Sequence, residues 1–501
     1  MPEAFTVDDL VYGLKALGAP AISPDGERIV YAVSQSDPET KKTTSHLWIQ
    51  SRQGGDARQL TFSGESNGSP VWSPDGEQIA FVSDRVKPDG QAGIFVMPAC
   101  GLGEPREVSR HIHGISGLTW SADGKQLAYC ALFDPDNPAE EKKGPDSLPE
   151  AQATTRFDYK GDGRGFVGEV RNQVWVVEVE SGARRRLTSV PNDHADPAWS
   201  PDGKTIAAHV AREGNSWLVL IDVATTEQRR VGAPDSQVGN YSWSPSGDRL
   251  FYTADPGHTY QSDLYLYDVA SSETKQLTED FDIQPFTGMM GSGLAWLDAR
   301  TVLFAGAKHA ECGLYEIDVE RGTVERLLSE PATRAGLSVD ASGRYVAQLR
   351  MAFDQPFEVA VYDLKEGHGS IASRHNAGLL AEREPVGWER FSVEQGGLTT
   401  ESWLLKPPGF DRSRRYPVII DIHGGPNGFH ASRFRPNDQL LATNGFIVVL
   451  PNPRGSTSFG RHFTMQVLGD RGGEDYKDLM AVADYVEQLP YVDPERIAIF
   501  G

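Results

Sequence analysis

The chain has 501 residues, and 70 Asp and Glu against 48 Lys and Arg give it a net charge of −22. That length implies two or three domains with sizeable cores, and the acidic balance argues against a nucleic-acid backbone or an anionic membrane as partner. Cys100, Cys130 and Cys312 are odd in number, far apart and in no Cys-x-x-Cys pattern, so neither a disulfide framework nor a zinc site is expected, and a reducing compartment fits. No basic, apolar-cored leader opens the chain, and no apolar run approaches the roughly 18 residues of a membrane span. The reading is therefore a cytoplasmic protein without metal or cofactor.

Taken in order, the chain first repeats itself. Ser23-Pro24-Asp25-Gly26 recurs as Ser73-Pro74-Asp75-Gly76, Ser121-Ala122-Asp123-Gly124, Ser200-Pro201-Asp202-Gly203 and Ser244-Pro245-Ser246-Gly247, the last four directly after Trp72, Trp120, Trp199 and Trp243. Pro presets one dihedral, Asp bonds its own backbone and Gly accepts a positive φ, so each copy is a turn between strands. Weaker copies follow at Trp296-Leu297-Asp298 and Val339-Asp340. From Ile22 through the Trp positions to Val339 the spacings are 50, 48, 79, 44, 53 and 43, matching the roughly 40–50 residues of a four-stranded propeller blade. Seven blades are expected over residues 19–384, after an N-terminal segment 1–18, with the Trp side chains as core between blades.

The spacing of 79 holds an insertion. Residues 133–150 are rich in Pro and acids and poor in apolar groups, which predicts a surface loop. Beyond it, Arg156–Gly163 mixes aromatic and charged residues that suit a pocket lining or the start of the next blade.

After about Ala381 the rhythm stops, and residues 385–501 read differently. Val418–Ile422, Phe446–Leu450 and Arg496–Phe500 are apolar runs that predict buried strands, and Leu479, Val482, Val486 and Leu489 share one face of a helix between the second and third. Strands alternating with helices predict a parallel α/β sheet. The first strand ends in His423-Gly424-Gly425-Pro426, a loop that lets a ligand approach backbone N–H groups as an oxyanion hole requires. A plain strand-ending turn has the same composition.

This order of motifs resembles the prolyl oligopeptidase family of serine peptidases, in its acylaminoacyl-peptidase or dipeptidyl-aminopeptidase branch. The resemblance rests on the Trp-Ser-Pro-Asp-Gly turns and on His423-Gly424-Gly425-Pro426, Asn452-Pro453-Arg454-Gly455-Ser456, Gly472-Gly473-Glu474-Asp475 and Val492-Asp493-Pro494-Glu495-Arg496. It implies an all-β seven-bladed β-propeller followed by a partial α/β-hydrolase domain that cleaves oligopeptides by Ser-Asp-His chemistry. It also implies an oxyanion donor at Gly424 or Gly425 and a substrate-holding Arg454. In that family Gly-x-Ser-x-Gly follows the strand ending at Phe500, so Gly501 is expected to be its first glycine. The catalytic triad is then missing, these 501 residues are expected to be truncated and inactive, and the last strand is left at an edge. A non-catalytic binding propeller and an esterase on the same scaffold are the rival readings.

Overall fold

Each repeated turn joins the two inner strands of a blade. In the second copy the Ser73 hydroxyl accepts the Gln78 N–H at 2.9 Å, and Gly76 takes φ +72°. The computed structural model describes all residues except 1–2, 86–91, 102, 113, 141–158, 162–164, 234–235, 280, 287–292, 329 and 426. Within them, seven antiparallel blades follow in chain order at 16–59, 67–111, 115–186, 193–231, 236–276, 284–326 and 333–371. The first blade starts earlier than expected, because the two-residue strand Ala16–Leu17, too short to show a period, pairs with Val33 and Ser34. Most of the insertion lies outside the described residues, as does most of Arg156–Gly163.

Tryptophan fixes the angle between neighbouring blades. The indole N–H groups of Trp72, Trp120, Trp243 and Trp296 donate to carbonyls of Ala21, Val71, Ala198 and Ser242, each on the inner strand of the blade before. Threonine closes the outer side: Thr61, Thr188 and Thr278 accept the N–H of Leu47, Val174 and Leu264, all at 2.9 Å. Between the seventh and first blades no strand is shared. The seam is an apolar cluster that includes Ile29, Tyr31, Leu349 and Val359, with a bond of 3.1 Å from Ala341 N–H to the Pro24 carbonyl.

Every inner strand is interrupted near the axis. Register shifts fall between Gly68 and Val71, Ser116 and Thr119, Ala195 and Ala198, Val238 and Tyr241, and Ala335 and Ser338. In the first and sixth blades the inner strand is split in two. Such bulges turn a side chain away from the ladder.

After Ile371 the chain passes through helix α1 (Ala377–Glu382) into a five-stranded sheet. Its strand order is Trp388–Gln395, Leu398–Leu405, Ile447–Asn452, Tyr416–Asp421, Val492–Phe500. The last three are parallel, as expected, while Leu398–Leu405 runs antiparallel to Ile447–Asn452, so the sheet is mixed. Helices α2 (Pro436–Thr443), α3 (Arg461–Met465) and α4 (Glu474–Glu487) lie in the connections, and Val482 and Val486 of α4 pack under the sheet. Val492–Phe500 pairs on one side only, leaving Ile499 62% and Phe500 43% exposed.

The two parts are joined at several points. The turn at His309 and Ala310 in the sixth blade donates its N–H groups to the carbonyl and hydroxyl of Ser458, at 2.7 and 3.0 Å. Thr333 donates to the Ser432 carbonyl at 3.0 Å, and Arg461 of α3 pairs with Asp263 of the fifth blade at 2.6 Å. Phe5 is buried against Met351 of the seventh blade and Phe434, and its N–H donates to Thr443 of α2 at 3.1 Å.

Candidate active site

The strand Tyr416–Asp421 is covered on both faces and delivers its C-terminal end to the boundary with the propeller. There the chain must turn sharply. Gly425 sits at φ +132°, and a Cβ on it would lie 2.6 Å from the Gly428 nitrogen, so glycine is required. Gly424 carries no such constraint, since a Cβ there would meet nothing within 4 Å. Both are exposed, and neither N–H has a hydrogen-bond partner among the described residues. Two free donors in adjacent residues suit a developing oxyanion.

Side chains beneath hold this turn. His423 Nε2 lies 2.8 Å from the Ser456 hydroxyl, whose own proton goes to the Pro453 carbonyl at 2.6 Å, so the imidazole is the donor. Burial lowers the pKa of His423 and keeps it neutral. Deeper lies a charged cluster. Arg435 pairs with Asp421 at 2.5 Å and Asp438 at 3.3 Å, and donates to His430 Nδ1 at 2.6 Å. His430 therefore carries its proton on Nε2, which donates to the Asp421 carbonyl at 2.9 Å. Burial pushes His430 well below its ordinary value, and burial together with the Asp421 carboxyl pushes Asp438 up to about 7.

Arg454, the expected substrate contact, is held in an ion-paired setting. It is 5% exposed and clamped on α4, with Nε and Nη2 on the two Asp478 oxygens at 2.8 and 2.7 Å. Nη2 also meets the Gln395 carbonyl at 3.0 Å, and Nη1 faces Glu474 at 3.5 Å. Nε and Nη2 are thus fully engaged, while Nη1 makes no hydrogen bond among the described residues. The guanidinium ties the loop after Ile447–Asn452 to α4.

A cavity of 780 Å³ lies between the sheet and the propeller. Asn427, Phe429, Arg433 and Thr457 form its lower wall, and Asp196, His209, Asn240, Asp255, Gln284 and Phe286 belong to its upper wall. Of these, Asn427 stands two residues beyond Gly425. Sequence alone assigned none of the wall residues a binding role, because they come from three blades and from two loops of the sheet that only the fold brings together. Among the described residues no histidine joins a serine hydroxyl on one ring nitrogen and a carboxylate on the other. The string Gly64-Glu65-Ser66-Asn67-Gly68 opens the inner strand of the second blade, and no histidine bonds to the Ser66 hydroxyl. No group of three or more His, Cys, Asp or Glu is placed to hold a metal, and no helix is long and apolar enough to cross a membrane, again among the described residues.

Comparison with known proteins bears on both parts. Residues 432–501 match the model of the prolyl oligopeptidase family, and residues 12–137 and 166–284 match that of the TolB beta propeller domain. An uncharacterized peptidase of Bacillus subtilis, YuxL, is 29% identical over 100% of this chain and 78% of its own length. Dipeptidyl-peptidase 5 of Porphyromonas gingivalis is 26% identical over 98% of the chain and 74% of its own. Among solved structures, the acylaminoacyl peptidase of Pyrococcus horikoshii superposes with a TM-score of 0.79 at 20% identity, covering 100% of this chain and 74% of that one.

Proposed function

We propose that the chain is a member of the prolyl oligopeptidase family, that residues 385–501 supply the oxyanion-binding part of a serine-peptidase site and that the propeller roofs it, limiting substrates to short peptides. The observation that carries this reading is the pair of free N–H groups at Gly424 and Gly425, held beside a 780 Å³ cavity by His423 and Ser456. As a tetrahedral intermediate forms, these donors stabilise its oxygen, an interaction worth roughly 3–4 kcal/mol per donor in acyl transfer. The turn needs no reorganisation, since its supporting hydrogen bonds are already made. Acyl transfer also needs a nucleophile whose proton a general base can take. In the His423–Ser456 contact the imidazole donates and the serine proton is held by the Pro453 carbonyl, and among the described residues no histidine joins both a serine hydroxyl and a carboxylate. A polypeptide of these residues alone therefore binds peptides without cleaving them. The substrate classes in view are the dipeptidyl and acylaminoacyl peptides for which the relatives are named. A cytoplasmic setting belongs to the same reading, supported by three cysteines of which none forms a disulfide among the described residues.

Calorimetric titration of the 501-residue chain with di- to tetrapeptides, alongside a fluorophosphonate labelling assay, tests this. Binding with neither turnover nor labelling is expected. Hydrolysis by this chain, or failure of any short peptide to bind, defeats the proposal.

A further inference from the structure

The seven inner strands carry an equivalent position three residues before the blade tryptophan or its counterpart. Read around the ring it holds Ala19, Ser69, Gly117, Asp196, Asn240, Gly293 and Gly336. Four of these have positive φ, namely Ser69 at 51°, Gly117 at 63°, Asp196 at 49° and Gly336 at 62°. Asp196 is the one charged member, in a conformation where Gly would cost nothing and where Asp and Asn are the least disfavoured of the other residues.

Its surroundings give this carboxylate a place. The 780 Å³ cavity and a second one of 640 Å³ along the propeller axis share Asp196, His209, Gly239 and Asn240, so these residues form a throat between two chambers. The backbone there is fixed: a Cβ on Gly117 would lie 2.7 Å from Pro197, and the Tyr241 phenol, donating to the Ala207 carbonyl at 2.8 Å, also meets the Asp196 carbonyl. The other lining carboxylates are engaged. Asp255 accepts from Thr259 and Tyr260, Asp193 accepts the Asn172 N–H at 2.7 Å, and Glu213 faces Arg212 at 3.7 Å. Asp196 is exposed, and among the described residues its carboxylate has no hydrogen bond or ion pair. Gln284 and Asn427, also on the wall, each leave a carbonyl oxygen without a hydrogen bond.

We propose that the throat at Asp196 is a binding site for the cationic group of a peptide, an ammonium carried by its N-terminus or by a lysine side chain. An unmatched carboxylate between walls of low dielectric concentrates field on the axis, and an ammonium there forms charge-assisted hydrogen bonds. The proposal rests on reading the cavity as the peptide chamber.

Titration of the 501-residue chain with alanyl-phenylalaninamide, its N-acetyl derivative and N-acetyl-lysyl-phenylalaninamide tests it. At least one of the two ammonium-bearing peptides is expected to bind at least tenfold tighter than N-acetyl-alanyl-phenylalaninamide, with the difference removed by Asp196→Asn and reduced by added salt. Asn is isosteric and tolerates the same φ, so circular dichroism should be unchanged. Asp196→Glu, which keeps the charge, should retain part of the preference. Tight binding of the lysyl peptide assigns the site to a side chain, and weak binding assigns it to the N-terminus. Equal affinity for all three peptides, or no effect of Asp196→Asn, overturns the assignment while leaving the peptide chamber standing. Binding of none of the three overturns both.

Discussion

Asp421 and Asp438 are both 1% exposed and share Arg435. One guanidinium cannot fully stabilise two buried carboxylates, so Asp438 holds its proton to about 7, chiefly because burial penalises its charged form. The folded state thus binds this proton more strongly than the unfolded chain, whose carboxyl titrates near 4. The stability it contributes is full below about pH 4 and is lost as pH rises towards 7. Asp438→Asn, which keeps the shape and a donor towards Asp421, should flatten the stability profile between those limits, a change on the order of a few kcal/mol. Urea denaturation across that range measures it. Breaking the Arg454 clamp should be worse: Asp478→Ala leaves a buried guanidinium short of its partner and should cost roughly 3–5 kcal/mol, seen as a lower denaturation midpoint. Neither arrangement was legible beforehand. Arg454 stands beside Gly455 and Ser456 in a motif that suggests a ligand, and its partner lies 24 residues away on a helix, a pairing that periodicity does not encode.

Among the elements, turns were the most legible, because Ser-Pro-Asp-Gly carries its chemistry within four residues. The helix α4 and the three parallel strands were also visible as apolar periods. The bulges near the axis were not: Ser69, Gly117 and Asp196 leave the ladder only relative to the neighbouring strand, and no local signal marks that register. The same limit hid the split inner strands. One element does expose a consequence directly. Val492–Phe500 offers an unpaired edge beside exposed Ile499 and Phe500, and an apolar edge strand recruits other chains. Ile499→Lys should reduce self-association of the 501-residue chain at high concentration, read as a smaller weight-average mass in sedimentation. An unchanged mass would remove the edge as the cause.

At the scale of the molecule, propeller and sheet are held as one body by the His309–Ser458 contact, the Arg461–Asp263 pair and the strap ending at Phe5. Phe5 is 1% exposed and touches both parts. Phe5→Ala should therefore cost about 3–5 kcal/mol and, since the lost contact spans the boundary, should split thermal unfolding into two steps by calorimetry; a single step at lower temperature would show that the other contacts suffice. The blade count was legible from spacing alone. The cavity was not, since it exists only once blades four to six face the loop after Gly425. One joint of the ring differs from the rest: six are tethered by the chain as it passes from blade to blade, whereas the seam between the seventh and first has packed apolar side chains and a few single hydrogen bonds. Apolar contact weakens on cooling. The seam is thus the joint most sensitive to cold, and near freezing the ring is easiest to part where its closure rests on side chains and the N-terminal segment rather than on a blade-to-blade connection.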